Sequence, residues 1–475
     1  MDLICKKRYD EILQKSNFKF NQYQYDGVEW CINNELNNIN SIRGGIIADE
    51  MGLGKTIQMI SLMYIHFVSR TLIILPPVLI QQWYNEIYKC TGHKALIYYG
   101  KNKNKLSSNI LLNSPIILTT YNTLLPIECP LLKMKWDRTI FDEAHHLRNH
   151  KSKRFIVANK LVSPIKWFIS GTPIQNKRKD LYNLFQLIGM QPKFYTVQNN
   201  FDFIHKHFIL RRTKEQVGIQ IPPICKEDLV VQWQNLKEQR LSEEIHSLLS
   251  LSGVSENRGR ELSKIMGDKG KLTALLRARQ SCILPSLMTN GMNKLILNGL
   301  INTDYSEAIK HSSKIDAVIR VILQRKDNDK GKIIFCHFTN EIDIIAQRLS
   351  AGGIKHIVKY DGRSNKNMNI ANKADVLIMQ IQTGCEGLNL QEHFSEVYFV
   401  SPHWNPCVED QAIARCHRIG QTKTVNVFKF EMVGFIKDIE QDITPISMEK
   451  YVNKIQNNKR EISKTMLETN IKSID

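Results

Sequence analysis

The sequence predicts an α/β protein of two parallel-sheet lobes with helical protrusions between them, and three observations carry that prediction. From about residue 44 to 230 the chain reads GGIIAD, TLIILPP, PIILTTY, WDRTIFDEAHH and IKWFISGTP, short apolar runs separated by helical patterns. A second series begins near Lys332 with KIIFCHF, IKHIVKYDG, ADVLIMQIQTG, SEVYFVSP and VNVFKFE. Between them lies a charged, helix-forming stretch, NLKEQRLSEEIHSLL and KLTALLRARQ. Short buried runs alternating with helices are how parallel strands covered on both faces read, and two such series mean two doubly wound lobes.

The division that follows is an N-terminal segment at 1–17, a first lobe at 18–230, a helical protrusion and linker at 231–311, a second lobe at 312–440, and a C-terminal helix or tail at 441–475. At ~150 residues per domain the 475 residues would make about three units, and large α/β domains reduce that to two. SLLSLSGVSENRGRELSK, inside the linker, reads as an exposed loop.

Composition narrows the function. Apolar residues are 42% and charged ones 23%, an ordinary globular balance. Lys and Arg outnumber Asp and Glu by 65 to 46, and the resulting +19 favours an anionic partner, nucleic acid ahead of membrane. The ten cysteines form no CxxC pair, which excludes a zinc ribbon or RING module and fits reduced thiols. MDLICKKRYDEILQK has no apolar h-region, and the most apolar stretch, 61–80, contains His66, Arg70 and the Pro76-Pro77 pair. A soluble intracellular protein without a membrane partner is expected.

In IIADEMGLGKTIQ a strand ends and a helix opens. Gly52 and Gly54 let backbone N–H groups approach phosphates, Lys55 reaches β and γ oxygens, and Thr56 can ligate Mg²⁺. Asp49 stands where the full phosphate-loop pattern wants Gly. About 90 residues on, a buried strand closes on Asp142-Glu143-Ala144-His145. Such a pair suits Mg²⁺ held by Asp142 while Glu143 orients the attacking water. Together the two features point to ATP hydrolysis with Mg²⁺.

DEMGLGKT, DEAH, SGTPIQN, LRRTKEQV and WNPCVEDQAIARCHRIGQTK, in this order, resemble the motifs of the SNF2 family within helicase superfamily 2, from about residue 18 to 435. The resemblance implies two RecA-like lobes and a DNA-dependent ATPase of the chromatin-remodeller kind. It makes Asp49, Glu50, Met51, Gly52, Leu53, Gly54, Lys55 and Thr56 the nucleotide loop, Gln24 the adenine reader, and Gln411 part of the nucleotide-sensing face. It implies that Arg415 and Arg418 reach the γ-phosphate, where an arginine finger is worth roughly 10³–10⁵ in rate. Ser170, Gly171, Thr172 and Asn176 become coupling residues. Pro77, Gln82, Trp83, Thr120 and Tyr121, with Gly384, Gly387, Asn389 and Trp404, become DNA contacts. Cys385 replaces a Gly of the family's GGxGLNL, and His403 the first Trp of its WWNP.

What this implies is ATP-driven tracking along duplex DNA without strand separation, acting on DNA-bound protein. The alternatives are a strand-separating DNA or RNA helicase, and an ATP-bound scaffold of low turnover. A nuclear location is expected, or a viral replication site or virion, since compact length and Asn bias fit a viral source.

Overall fold

The computed structural model describes residues 3–247, 249, 270–288, 296, 305–363, 374–384, 388–435 and 447–467. The chain divides into two compact units, residues 1–220 with 459–475, and residues 221–458.

The first unit holds β1 (Arg43–Ile47), β2 (Thr71–Leu75), β3 (Leu96–Ile97), β4 (Ile116–Thr120), β5 (Arg138–Asp142), β6 (Ile165–Ile169) and β7 (Ile209–Leu210). They form one all-parallel sheet in the order β3-β4-β2-β5-β6-β1-β7. Every residue of β2 and β5 is buried, as strands covered by helices on both faces must be. Alternate residues feed two cores. Ile46, Leu72, Ile74, Phe141 and Phe168 serve one face, and Ile47, Ile73, Leu75, Ile140 and Trp167 the other. Register sets the site. Ile47 pairs with Ile169, and Ile169 with Asp142, so β1, β5 and β6 end level.

A buried polar anchor joins the helix Gln22–Leu36 to the opposite ends of these strands. Arg138 Nε donates to Glu35 Oε1 over 2.6 Å and Trp167 Nε1 to the same oxygen over 2.7 Å. The N-terminal helix Leu3–Ser16 packs Tyr9, Ile12 and Leu13 into the core beside it.

The second unit holds β8 (Ile224–Val231), β9 (Gly331–Cys336), β10 (Ile357–Tyr360), β11 (Val376–Gln380), β12 (Phe394–Phe399) and β13 (Val425–Met432), parallel in the order β10-β11-β9-β12-β13-β8. The sequence places residues up to 230 in the first lobe, whereas β8 pairs with β13 from Ile224–Val425 to Val231–Met432. As an edge strand of mostly exposed residues, β8 has no buried run to reveal it. The stretch expected to protrude is partly core, with Leu241, Ile245, Ala278, Cys282 and Ile283 packing against Val318 and Ile334. The expected loop at 247–264 lies outside the described residues apart from Ser247 and Leu249. The described C-terminal residues form the helix Met448–Leu467, whose Met448 and Val452 serve the second unit's core.

Candidate nucleotide site

β1 runs into Ala48–Gly54, and the helix Lys55–Ile65 follows. Gly52 and Gly54 turn the loop at φ 93° and 79°, the left-handed region where a side chain costs energy. A Cβ on Gly54 would lie 2.4 Å from Gln24 Nε2, and Gln24 donates to Leu53 O over 3.3 Å. Gln24 therefore lies against the loop.

Lys55 Nζ donates to the loop carbonyls of Asp49 (2.7 Å) and Glu50 (3.2 Å). Burial, partly offset by Asp49 and Glu143, holds its pKa below the usual ammonium range. Thr56 sits half-exposed in the helix's first turn.

Asp49 is the departure from the phosphate-loop pattern, and the structure explains it. Its buried carboxylate accepts from Arg212 N (3.0 Å), Nε (3.1 Å) and Nη2 (2.6 Å), and from Gln58 Nε2 (3.2 Å). Glu50 pairs in the same way with Lys214, Oε2 accepting from its N over 2.8 Å and Oε1 facing its Nζ at 3.1 Å. Arg211 Nη1 donates to Ala48 O over 2.6 Å. The β1–β7 ladder extends along the loop, with Ala48 N donating to Leu210 O and Glu50 N to Arg212 O. Residues 210–214 thus clamp the phosphate loop. LRRTKEQV was legible as a motif, but its charges gave no sign that they face the Asp49-Glu50 pair.

Asp142 ends β5. Its Oδ2 accepts from Trp83 Nε1 over 2.7 Å, its Oδ1 from Glu143 N over 2.9 Å, and its carbonyl from Tyr121 OH over 2.7 Å. Burial, and then the charge of Glu143, push its carboxyl up to about 7. Glu143 turns the chain at φ 50°, and its Oε2 lies 3.1 Å from His145 Nδ1.

Three residues expected to contact DNA are buried beside these bonds. Trp83 is 1% exposed, Thr120 1% and Tyr121 6%. Trp83 and Tyr121 spend their polar atoms on Asp142, and Thr120 Oγ1 pairs with Thr123 Oγ1 at 2.8 Å. Trp83 and Tyr121 thus support the Asp142 strand end. Pro77 is exposed and Gln82 half-exposed.

The stretch after β6 closes the site. Ser170 N donates to Ile47 O over 3.0 Å, and Thr172 N to Ser170 Oγ over 3.2 Å. A Cβ on Gly171 would meet Met51 Cγ at 2.7 Å and Lys55 Nζ at 3.4 Å, so this glycine permits the approach. Asp180 Oδ2 accepts from Gln175, Asn176 and Lys177 N, and Arg148 Nη1 donates to Gln175 Oε1 over 2.6 Å. The segments following β5 and β6 are tied together through that bond.

Gln24, Lys55, Asp142, Glu143 and Ser170–Thr172 therefore stand together on the first unit, while Gln411, Arg415, Arg418, Asn389 and Trp404 belong to the second. There Gln411 is buried in the helix Pro406–Ile413, and Arg415 follows half-buried, its carbonyl accepting from Leu390 N over 3.1 Å. Arg418 Nη1 donates to Asn389 Oδ1, joining two residues expected to serve different ligands. Gly384 ends the helical turn Ile381–Gly384, and Gly387 and Cys385 lie outside the described residues. Trp404 stands edge-on to Tyr451, with the Arg279 guanidinium 5.5 Å from its ring centroid, and packs against the second core.

Mg²⁺ fits the first unit's site. Asp142 is a buried carboxyl at the end of its strand, and Thr56 supplies a hydroxyl at the loop's end. No group of three His, Cys, Asp or Glu that could hold a metal occurs among the described residues. An ion held by one or two protein ligands plus nucleotide phosphates needs none.

Comparison with known proteins places these features. Residues 23–287 match the SNF2-related domain and residues 313–420 the helicase conserved C-terminal domain. An uncharacterized ATP-dependent helicase of Mycoplasma genitalium is 29% identical, over 94% of this chain and 42% of the relative. The ATP-dependent DNA helicase DDM1 of Arabidopsis thaliana is 27% identical, over 87% of this chain and 59% of the relative. This chain thus spans about two fifths to three fifths of the length of these relatives. The Sulfolobus solfataricus SWI2/SNF2 ATPase core, solved in complex with dsDNA, is 23% identical with a TM-score of 0.40, over 94% of this chain and 93% of that one. Nothing in these comparisons supports the expected viral source. No helix among the described residues is long and apolar enough to cross a membrane.

Proposed function

This chain belongs to the SNF2-related family, and from that premise we propose that it is a DNA-dependent ATPase that tracks along duplex DNA and displaces or remodels bound protein. The observation that carries the reading is the level ending of β1, β5 and β6, which brings Lys55, Asp142, Glu143 and Gly171 to one rim, a grouping that suits a nucleotide phosphate. Lys55 exchanges its loop carbonyls for β and γ oxygens. Glu143, with His145 3.1 Å from its carboxylate, orients the attacking water. Asp142 and Thr56 would hold Mg²⁺, which neutralises phosphate charge when bound. Gln24 holds the loop end where a base would sit. The +19 charge and a relative named as a DNA helicase support nucleic acid as the partner.

Comparing ATPase stimulation by duplex DNA, single-stranded DNA and RNA tests this directly. Duplex DNA should stimulate most, and its binding should weaken ~10³–10⁵-fold between ~50 and ~200 mM salt while barely varying with base sequence. Translocation should strip a third strand from a triplex and leave a blocked forked duplex paired. Efficient unwinding of the fork or of RNA, without triplex activity, would replace this reading by a true helicase.

A pH dependence follows from Asp142. A cation requires its carboxylate, and the folded pKa of about 7 means that a proton competes. Mg²⁺ affinity of the ATP-bound protein should rise about tenfold per pH unit up to ~7 and level off above it. Affinity already flat across that range would remove Asp142 from the metal site.

A further inference from the structure

Residues 148–154 read RNHKSKR, four formal positive charges in seven residues with no acid. They follow the DEAH turn and border a cavity of about 400 Å³ lined by Asn122, His146, Arg148, Ser152, Lys153 and Arg154, among others. None of the residues lining it carries a carboxylate. The cavity lies at the carboxyl ends of β4 and β5, the rim where ligands of parallel sheets collect. Ser152 caps the helix Lys153–Lys160 by accepting from Phe155 N over 3.2 Å, so the helix's positive end adds to the three cationic side chains.

One wall of the cavity is wired to the hydrolytic strand end. Arg154 Nε donates to Asn122 Oδ1 over 3.1 Å, and its Nη1 lies 3.2 Å from His146 Nδ1. A guanidinium only donates, so in this contact the ring nitrogen of His146 is the acceptor. The His146 ring lies 5.3 Å from that of Tyr121, which donates to Asp142 O.

We infer that this cavity takes a backbone phosphate of duplex DNA, with Lys153, Arg154 and Arg148 as its cations. The inference rests on the motor reading above and gives the first unit a DNA contact made by exposed and half-exposed cations, where Trp83, Thr120 and Tyr121 are buried. Because Arg154 also holds His146, phosphate capture competes with that bond and bears on the strand end that carries Asp142 and Glu143.

The test is the salt dependence of duplex binding, read by fluorescence anisotropy, for wild type, Lys153→Gln and the double variant Lys153→Gln/Arg154→Gln. Losing one phosphate contact should lower the slope of log affinity against log salt by about one, and losing two by about two. Near 50 mM salt each loss should weaken binding roughly tenfold. Affinity for a fluorescent ATP analogue should stay unchanged. Lys153 is exposed on the helix's first turn, so Lys153→Gln keeps the test open if the double variant fails to fold. Slopes equal to wild type would overturn the inference while leaving the motor reading standing. So would a cavity that answers only to inorganic phosphate at constant ionic strength. A wild-type protein that does not bind duplex DNA would instead overturn the motor reading itself, and this inference with it.

Discussion

Glu143→Gln is expected to abolish turnover while leaving nucleotide binding intact. The amide matches the carboxylate in size, and neither is β-branched, so the left-handed turn at φ 50° tolerates both equally. What is lost is the charge that aligns the attacking water, a loss worth at least ~100-fold in rate. Binding should not suffer, because the phosphate contacts belong to Lys55 and the loop. The charge of Glu143 is also one of the causes that raise the Asp142 pKa, so its removal makes Asp142 easier to ionise. Mg²⁺ should therefore bind the variant at least as well as wild type at neutral pH. Single-turnover hydrolysis beside equilibrium binding of an ATP analogue separates the two effects. Turnover within threefold of wild type would take Glu143 out of the mechanism.

How much of this was legible depended on whether chemistry or position carried the signal. Ten of the described strands announce themselves as apolar runs, several of them buried throughout. β3 and β7 are two residues long and leave no periodicity to read. Lys55, Asp142 and Glu143 were readable because phosphate chemistry needs those groups at those strand ends. Trp83 and Tyr121 were not, because a polar aromatic beside a strand end reads the same whether its N–H or O–H faces a duplex or a buried carboxylate. Arg212 was invisible for another reason. Its partner Asp49 lies 163 residues away in the chain, and local patterning carries no information at that range.

Arg212→Ala should therefore be among the most damaging substitutions that leave every expected phosphate contact in place. It strands the buried Asp49 carboxylate, a loss that typically costs about 3–5 kcal/mol. It also frees Gln58 and the Tyr23 carbonyl, both of which Arg212 holds. With Ala48–Glu50 loosened, Gln24 and Lys55 lose their shared platform, so KM for ATP should rise as well as stability fall. Arg212→Lys should recover only part of either, because an ammonium cannot span both carboxylate oxygens, Gln58 and Tyr23 from one position. Gly27 adds a geometric demand, since a Cβ there would meet Gln58 Oε1 at 2.0 Å and Arg212 Nη2 at 2.7 Å. Asp49→Gly, which restores the bare phosphate-loop pattern, is the telling counterpart. If the pair acts as one unit, Asp49→Gly and Arg212→Ala should each lower the melting temperature and raise KM. The double variant should be no worse than either alone, a coupling read from the double-mutant cycle. An Asp49→Gly protein with wild-type stability and KM would show that the phosphate loop needs no clamp.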